Sequence, residues 1–253
     1  MNRWIKLAAD TVREAGGLTM EGFGKATEER KLGAETVTEY DLRADKLICA
    51  SLKEKSDYPI VSEESKTEIP ESNDPYWVVD PIDGTGNYAR GNPLFAISIA
   101  LVQQGKPLLG VVHMPALDEL VWSDTKETYR NKQKVRLRTP SAHPAVIVGR
   151  GHGESDSTII PKVVSKLSGN SMWLSLGATA VELAFLACGR FDALAVVGDR
   201  IWDYAGGAAL VQGAGGVIRD WKNQDVQLPS HFLCAGHPKA LASLTRQISR
   251  FQA

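Results

Sequence analysis

Cysteine is scarce in this 253-residue sequence, and the pattern of the little there is excludes a disulfide framework. Cys49, Cys188 and Cys234 are odd in number, widely separated and set in apolar stretches, so they read as reduced core thiols of a cytoplasmic protein. Charge of one sign is missing as well: 29 Lys and Arg offset 30 Asp and Glu, for a formal net charge of −1. Such a balance predicts no polyanion partner and disfavours nucleic acid. The one basic cluster, Lys132 to Arg138, alternates like a strand and reads as a solvated face. No apolar run is long enough to span a membrane. Trp4, Leu7, Ala8 and Val12 recur at helical spacing, but Lys6, Asp10 and Arg13 interrupt them, which makes an amphipathic helix and not a signal peptide.

Several catalytic motifs are also missing. There is no G-x-S-x-G elbow and no H-E-x-x-H pair, so serine-esterase and zinc-protease chemistry have no residues to use. Two glycine-rich fragments fall short of a phosphate loop. Gly149-Arg-Gly151-His-Gly153 follows a strand pattern but lacks the full spacing and the Lys-Ser/Thr that a P-loop needs. Gly213-Ala-Gly215-Gly216 closes a helix instead of opening one and reads as a C-cap turn.

Hydrophobic residues make up 43% of the chain, enough for a full core in one large domain or two intimate halves. Periodicity predicts helices at about 2–22 and 42–54, then strands ending at Val61 and Val79. Strands at Ala96 to Val102, Leu108 to His113, Leu120 to Trp122 and Lys134 to Arg138 follow, with turn signals at Gly105 to Pro107 and at Asn131, as in an antiparallel meander. After Thr139-Pro140 short strands at 145–148, 172–174, 193–197, 217–218 and 232–235 alternate with helices near 158–168, 179–188, 203–213 and 238–251. A boundary near Thr139 would separate an N-terminal α+β half, 1–139, from a C-terminal α/β half, 140–253.

What the sequence does have is acids at the ends of apolar elements. Trp77-Val-Val-Asp80-Pro-Ile-Asp83-Gly84-Thr85 is an apolar strand that ends in two carboxylates around a proline. Glu63 and Glu64 close the stretch Tyr58 to Val61, Asp203 sits at the mouth of a helix beginning near Tyr204, and Asp41 precedes another helix. Each alone has a plain reading: Asp83-Gly84 as a hairpin turn, Asp41 and Asp203 as helix N-caps, Glu63-Glu64 as a solvated loop. Together they are delivered to a common rim, with no His or Cys among them. Oxygen-only donors suit Mg²⁺ or Mn²⁺, and a dinuclear magnesium site is the physical expectation.

The run WVVDPIDGTGNY, with SEES before it and IWDYAGGAALVQGAGG more than a hundred residues after it, resembles the paired signatures of the inositol monophosphatase family of Mg²⁺-dependent, lithium-sensitive phosphatases. The likeness spans nearly the whole chain, including Thr38 to Asp45 and Gly177-Ala-Thr179-Ala180. It implies an α/β (α+β) fold, a five-layered αβαβα sandwich, commonly a homodimer, acting on a small phosphorylated polyol or sugar. It further implies that Glu63, Asp80 and the main-chain carbonyl of Ile82 hold one ion, and Asp80, Asp83 and Asp203 a second. A third, weaker ion would sit between Glu63 and water near Asp41. Gly84 and Thr85 would cradle the phosphate through main-chain N–H groups, while Thr85 Oγ and Glu63 orient the attacking water. Asp203 would lie near the leaving-group oxygen, and Asp83 would also touch the substrate.

Departures from the family pattern concern the alcohol end of the substrate. Animal inositol enzymes carry a glutamate that grips sugar hydroxyls seven residues before the Trp-Asp aspartate, where this chain has Val196. Asp199 or Arg200 in the next turn could replace that contact, and Arg200 could reach a second phosphate or a carboxylate. A plain solvent-exposed Arg200 is an equal alternative. Thr179 matches a position whose main-chain N–H contacts substrate, and could equally be a helix N-cap. Asp45 stands where many members have glutamate. Gly86-Asn87-Tyr88 replaces the Lys-Glu-Phe of nucleotide 3′-phosphatases, disfavouring phosphoadenosine phosphate. Inositol 1-phosphate is the expected substrate, with fructose 1,6-bisphosphate next and histidinol phosphate third, the last because the stretch from Gly213 to Trp221 resembles that branch. Some bacterial members act instead as partners of the transcription machinery. Gly33 is a possible hinge in a loop, Lys31 to Thr38, expected to be mobile without metal.

Overall fold

A computed structural model describes residues 2–30, 36–65, 67–140, 142–149, 159–167 and 171–248. The expected mobility of Lys31 to Thr38 falls largely on residues outside that set, as do most of Gly149 to Gly153. The described helices are α1 (Arg3–Gly22), α2 (Glu39–Lys55), α3 (Thr85–Ala89), α4 (Ile159–Leu167), α5 (Thr179–Ala187), α6 (Ile201–Gly213) and α7 (Pro238–Ile248). The strands are β1 (Glu29–Arg30), β2 (Thr36–Val37), β3 (Ile60–Ser62), β4 (Tyr76–Asp83), β5 (Ala96–Gln103), β6 (Lys106–Met114), β7 (Glu119–Ser123), β8 (Thr128–Arg130), β9 (Gln133–Val135), β10 (Ala145–Val148), β11 (Met172–Leu174), β12 (Ala193–Val197), β13 (Val217–Arg219) and β14 (Phe232–Gly236).

Strands β3 to β9 form a seven-stranded sheet in sequence order, antiparallel except for the parallel pair β3 and β4. A five-stranded mixed sheet runs β11-β10-β12-β14-β13. The layers alternate as expected: α1 and α2, the larger sheet, α5 and α6, the smaller sheet, then α4 and α7. No described helix is long and apolar enough to cross a membrane.

Period-2 alternation assigns side chains to layers. In β4, Trp77 and Val79 face the cluster with Ile5, Val12, Ile48 and Leu52 of α1 and α2, whereas Tyr76 and Val78 face the central one with Leu183 of α5 and Leu210 of α6. Both faces of the larger sheet are therefore buried, which is why its strands read as continuous apolar runs. Each large aliphatic side chain so buried contributes roughly 1.5–3 kcal/mol. The smaller sheet repeats the pattern, with Leu194 and Val196 of β12 facing the central layer and Ala193 and Ala195 facing α4 and α7.

Boundaries differ in informative places. Helix α2 begins at Glu39 because Thr38 is its N-cap, in a box that Asp41 completes three residues on. Asp41 is thus inside the first turn and is not the cap. Asp203 likewise lies inside α6, three residues after the cap at Arg200, instead of preceding the helix. The strand expected at Lys134 to Arg138 ends at Val135, and its hairpin partner β8 went unpredicted; Asn131 turns between them with φ 53°. Gln104-Gly105, both at positive φ, join β5 to β6, and Gly213 to Gly216 does close α6, with Gly215 at φ 88°.

Candidate active site

Two aspartates three residues apart on a regular strand point to opposite faces of the sheet. Asp80 and Asp83 do not, because β4 carries an irregularity between them. Asp80 pairs with Ser98 of β5 but Asp83 pairs with Ala96, so three steps on β4 match two on β5. Pro81, which has no N–H to give the ladder, sits in this bulge. The extra residue turns Asp83 to the side of Asp80, toward the central helical layer. There Asp203 arrives from the first turn of α6, and one carboxylate oxygen from each of the three lies within 4.8 Å of the others. All three are buried.

Local bonds fix each carboxylate. Asp80 Oδ1 accepts from Ile82 N at 3.1 Å, and Asp203 Oδ2 from Arg200 N at 2.6 Å. Asp83 faces the start of α5, accepting from Thr179 N at 3.1 Å, Ala180 N at 2.7 Å and Val181 N at 3.4 Å. That places a carboxylate at the positive end of a helix.

Beyond the turn, Gly84 caps α3 with φ 83°, and a Cβ there would lie 2.8 Å from Ala178 Cβ and 3.1 Å from Leu94 O. Only glycine meets both demands. Thr85 Oγ1 donates toward Asp41 Oδ1 at 2.9 Å and Ile82 O at 3.1 Å, and Asp41 is held by the N–H and hydroxyl of Thr38. Thr85, Asp41 and the Ile82 carbonyl are therefore joined. Glu63 stands apart from the close triad, although its charge acts on Asp80. Its N–H donates to Val79 O at 3.3 Å, which aligns the SEES turn with β4. Asp45 braces that turn from α2, accepting from the hydroxyls of Ser62 and Ser65.

Thr179 is the first residue of α5, and the cap is Ala178. The Thr179 hydroxyl donates to Asp199 Oδ2 at 2.6 Å. Val196 is buried in the central cluster, and a Cβ on Gly149 would overlap its Cγ1. Arg200 is exposed. Sequence reasoning missed two supports. Asn87 Nδ2 donates to Leu94 O at 2.7 Å and Leu176 O at 2.9 Å, tying α3 to the approach to α5. Glu182 Oε1 accepts from Leu176 N at 2.7 Å and Gly177 N at 3.3 Å, holding the same approach from within the helix. An acid one turn past Gly177-Ala-Thr179-Ala180 was the only signal.

The electrostatics leave the ionised carboxylates short of compensating charge. Burial, reinforced by Glu63, Asp83, Asp203 and Asp41, pushes the Asp80 carboxyl well above its ordinary range. Burial with Asp199 and Asp83 does the same to Asp203. Burial raises Asp83 to about 7 in spite of its three N–H donors, and raises Asp41 as well. Such a group of buried, mutually repelling oxygen donors fits a hard divalent ion. Two open clefts, of about 530 and 480 Å³, share no residue with this cluster. The site is assigned by side-chain chemistry, not by concavity.

Residues 1–252 match the inositol monophosphatase family along their whole length. The chain belongs to that family. It is similar to an inositol-1-monophosphatase of Mesorhizobium japonicum, 31% identical over 97% of this chain and 96% of the relative. A putative Nus factor SuhB of Neisseria meningitidis serogroup A is 29% identical over 98% and 99%. The solved structure of the extragenic suppressor protein suhB from Bartonella henselae superposes with a TM-score of 0.91 at 26% identity, covering 99% of this chain and all of that one. Family membership implies a phosphatase whose chemistry is metal-dependent.

Proposed function

We propose that the protein is a Mg²⁺-dependent phosphomonoesterase acting on a small polyol or sugar phosphate, with inositol 1-phosphate as the first candidate. The observation that carries this reading is the buried Asp80, Asp83, Asp203 triad at the foot of the Gly84-Thr85 turn. Glu63, Asp80 and the Ile82 carbonyl would hold one ion and Asp80, Asp83 and Asp203 another. Bound there, divalent ions lower the pKa of water and neutralise charge on the attacking and leaving oxygens.

The chain's own groups do the rest. The N–H groups of Gly84 and Thr85 would hold the phosphate oxygens, while those of Asn87 and Tyr88 already donate to Gly84 O. The Thr85 hydroxyl donates toward Asp41 or the Ile82 carbonyl, and its oxygen would accept a hydrogen bond from the attacking water. Burial raises the proton affinity of Asp41, which suits it to end that chain. Glu63 would orient the water from the opposite side, and Asp203 would lie beside the leaving oxygen.

Phosphate release from inositol 1-phosphate, fructose 1,6-bisphosphate, histidinol phosphate and phosphoadenosine phosphate, with and without Mg²⁺ and Li⁺, tests this. The expected result is Mg²⁺-dependent, Li⁺-sensitive release, fastest with inositol 1-phosphate. Asp80→Asn should cost roughly a thousandfold, the equivalent of losing several kcal/mol of charge stabilisation. An Asp80→Asn protein with normal Mg²⁺-dependent turnover would sink the assignment. The relative bearing a Nus factor name supports a second reading, a protein-binding role. Folded protein that cleaves none of the esters would favour it. Homodimer assembly belongs to the same proposal and is checked by sedimentation.

A further inference from the structure

Two helix starts meet at the site, and one amide side chain joins them. Helix α3 begins at the Gly84-Thr85 turn, and α5 begins with the three N–H groups that hold Asp83. They pack closely: a Cβ on Gly84 would meet Ala178 Cβ at 2.8 Å and the Gly177 carbonyl at 3.4 Å. Asn87 of α3 gives its amide hydrogens to two main-chain carbonyls, Leu94 O at 2.7 Å and Leu176 O at 2.9 Å. Its Oδ1 accepts from Asn92 Nδ2 at 3.0 Å, so both polar atoms of the side chain are engaged.

The same stretch is held from α5. The N–H groups of Leu176 and Gly177 donate to Glu182 Oε1 at 2.7 and 3.3 Å. The peptide between Leu176 and Gly177 is thus pinned at both ends, its carbonyl by α3 and its N–H by α5. Glu182 is 1% exposed, and its Oε2 is buried without a hydrogen-bond partner. An unpaired carboxylate oxygen in the interior costs stability, and local costs of that kind gather at functional sites. Neither Asn87 nor Glu182 bonds to Asp83, but both fix the turn, with Gly177 at φ 77°, from which the donors of Asp83 start.

We propose that Asn87 is a positioning residue for the ion: by pinning the Leu176–Gly177 peptide it keeps the N–H donors of α5 on Asp83, and so sets how tightly the triad binds a divalent cation. Glu182 shares that task from the other end of the peptide. This rests on reading the triad as the ion site and names groups outside it that tune it. A carboxylate left free to turn must be ordered when the ion binds, so a looser cradle lowers affinity without removing a ligand.

The test is Mn²⁺ binding to the metal-free protein, read as free Mn²⁺ by electron paramagnetic resonance well below the melting temperature, which is recorded alongside. Asn87→Ala should weaken binding roughly three- to tenfold, the equivalent of one lost hydrogen bond. Glu182→Ala should do the same, whereas Glu182→Gln, which keeps an acceptor oxygen, should stay within about twofold of wild type. Because both side chains act through one peptide, the double variant Asn87→Ala, Glu182→Ala should bind within about twofold of the weaker single variant. Asn92→Ala is the control for a merely structural role. It removes the bond to Asn87 Oδ1 and leaves the one to Leu176, so melting temperature should fall while Mn²⁺ affinity stays within about twofold. Affinity unchanged by Asn87→Ala, lowered as much by Asn92→Ala, or lost additively in the double variant would overturn the proposal and leave the phosphatase reading intact. Should Asn87→Ala fail to fold, the Glu182 pair decides: equal affinities of Glu182→Ala and Glu182→Gln overturn it. Wild type that binds no Mn²⁺ removes the ion site itself, and both readings fall together.

Discussion

Asp83 and Asp199 are both buried carboxylates and both are held by Thr179, but by different parts of it. Asp83 takes main-chain N–H groups from three successive residues at the start of α5, which any residue but proline at those positions would supply. Asp199 takes a hydroxyl, which only Ser or Thr at 179 could offer. Asp83 is thus set by backbone, with Gly84 and the bulge at Pro81 fixing the geometry around it, whereas Asp199 is set by a side chain. A backbone-built region tolerates drift elsewhere in the chain and keeps its chemistry, whereas a side-chain-built region can be retuned by a single exchange.

Breaking the backbone should therefore do the most damage. Gly84→Ala places a side chain at φ 83° and against Ala178 Cβ. The conformation alone costs about 1–2 kcal/mol, and the overlap adds to it. Thermal unfolding should fall by several degrees, and kcat should drop at least about a hundredfold on every ester, as the Thr85 N–H and hydroxyl lose their aim. A Gly84→Ala enzyme that slows on one ester only would contradict the division between the two supports.

The second probe is pH in the absence of divalent cation. The folded-state carboxyls of Asp83 and Glu182 are raised by burial to about 7 and about 8. The folded protein therefore binds more protons than the unfolded chain, whose carboxyls titrate near about 4. The resulting stability is fully present below about pH 4, declines as pH rises, and is gone above about 7 for Asp83 and about 8 for Glu182. The slope approaches about 1.4 kcal/mol per pH unit for each excess proton. Melting temperature without metal should fall between pH 5 and 8, and Mg²⁺ at pH 8 should restore it by binding the deprotonated form. Asp80→Asn should weaken that restoration; an identical Mg²⁺ shift in this variant would remove the triad from the ion site.

The two supports also differ in how far the sequence revealed them. The strand ends at Asp80 and Asp83, the glycine turn and the Trp-Asp helix start were visible because each is a local pattern of apolar period followed by a breaker. That Asp80 and Asp83 meet at one site was expected, but the bulge that turns them to one face was not legible, since strict alternation says the opposite and it depends on pairing with β5. The helix starts at Glu39 and Ile201 lie three and two residues earlier than the apolar pattern puts them, because the carboxylates of Asp41 and Asp203, three residues after each cap, reach back to it. Thr179 was legible only as a choice between substrate contact and cap, and it is neither cap nor solvent-facing. Its partner Asp199 lies twenty residues away, a distance no periodicity bridges. Asn87 and Glu182 act through the carbonyl and N–H of Leu176, and main-chain partners leave no mark on residue identity.

The smallest expected effect is the most selective. Thr179→Ala removes the hydroxyl bond to Asp199 and leaves all three N–H donors to Asp83 in place. Taking one donor from a buried carboxylate should cost about 1–3 kcal/mol of stability. Turnover of every ester should stay within about twofold, because the N–H donors that hold Asp83 are untouched. Thr179→Ser keeps the hydroxyl and should restore most of the lost stability. Should alanine slow all esters alike and serine fail to rescue, Thr179 would be acting on both carboxylates as one unit, and the backbone-built and side-chain-built supports would not be separable.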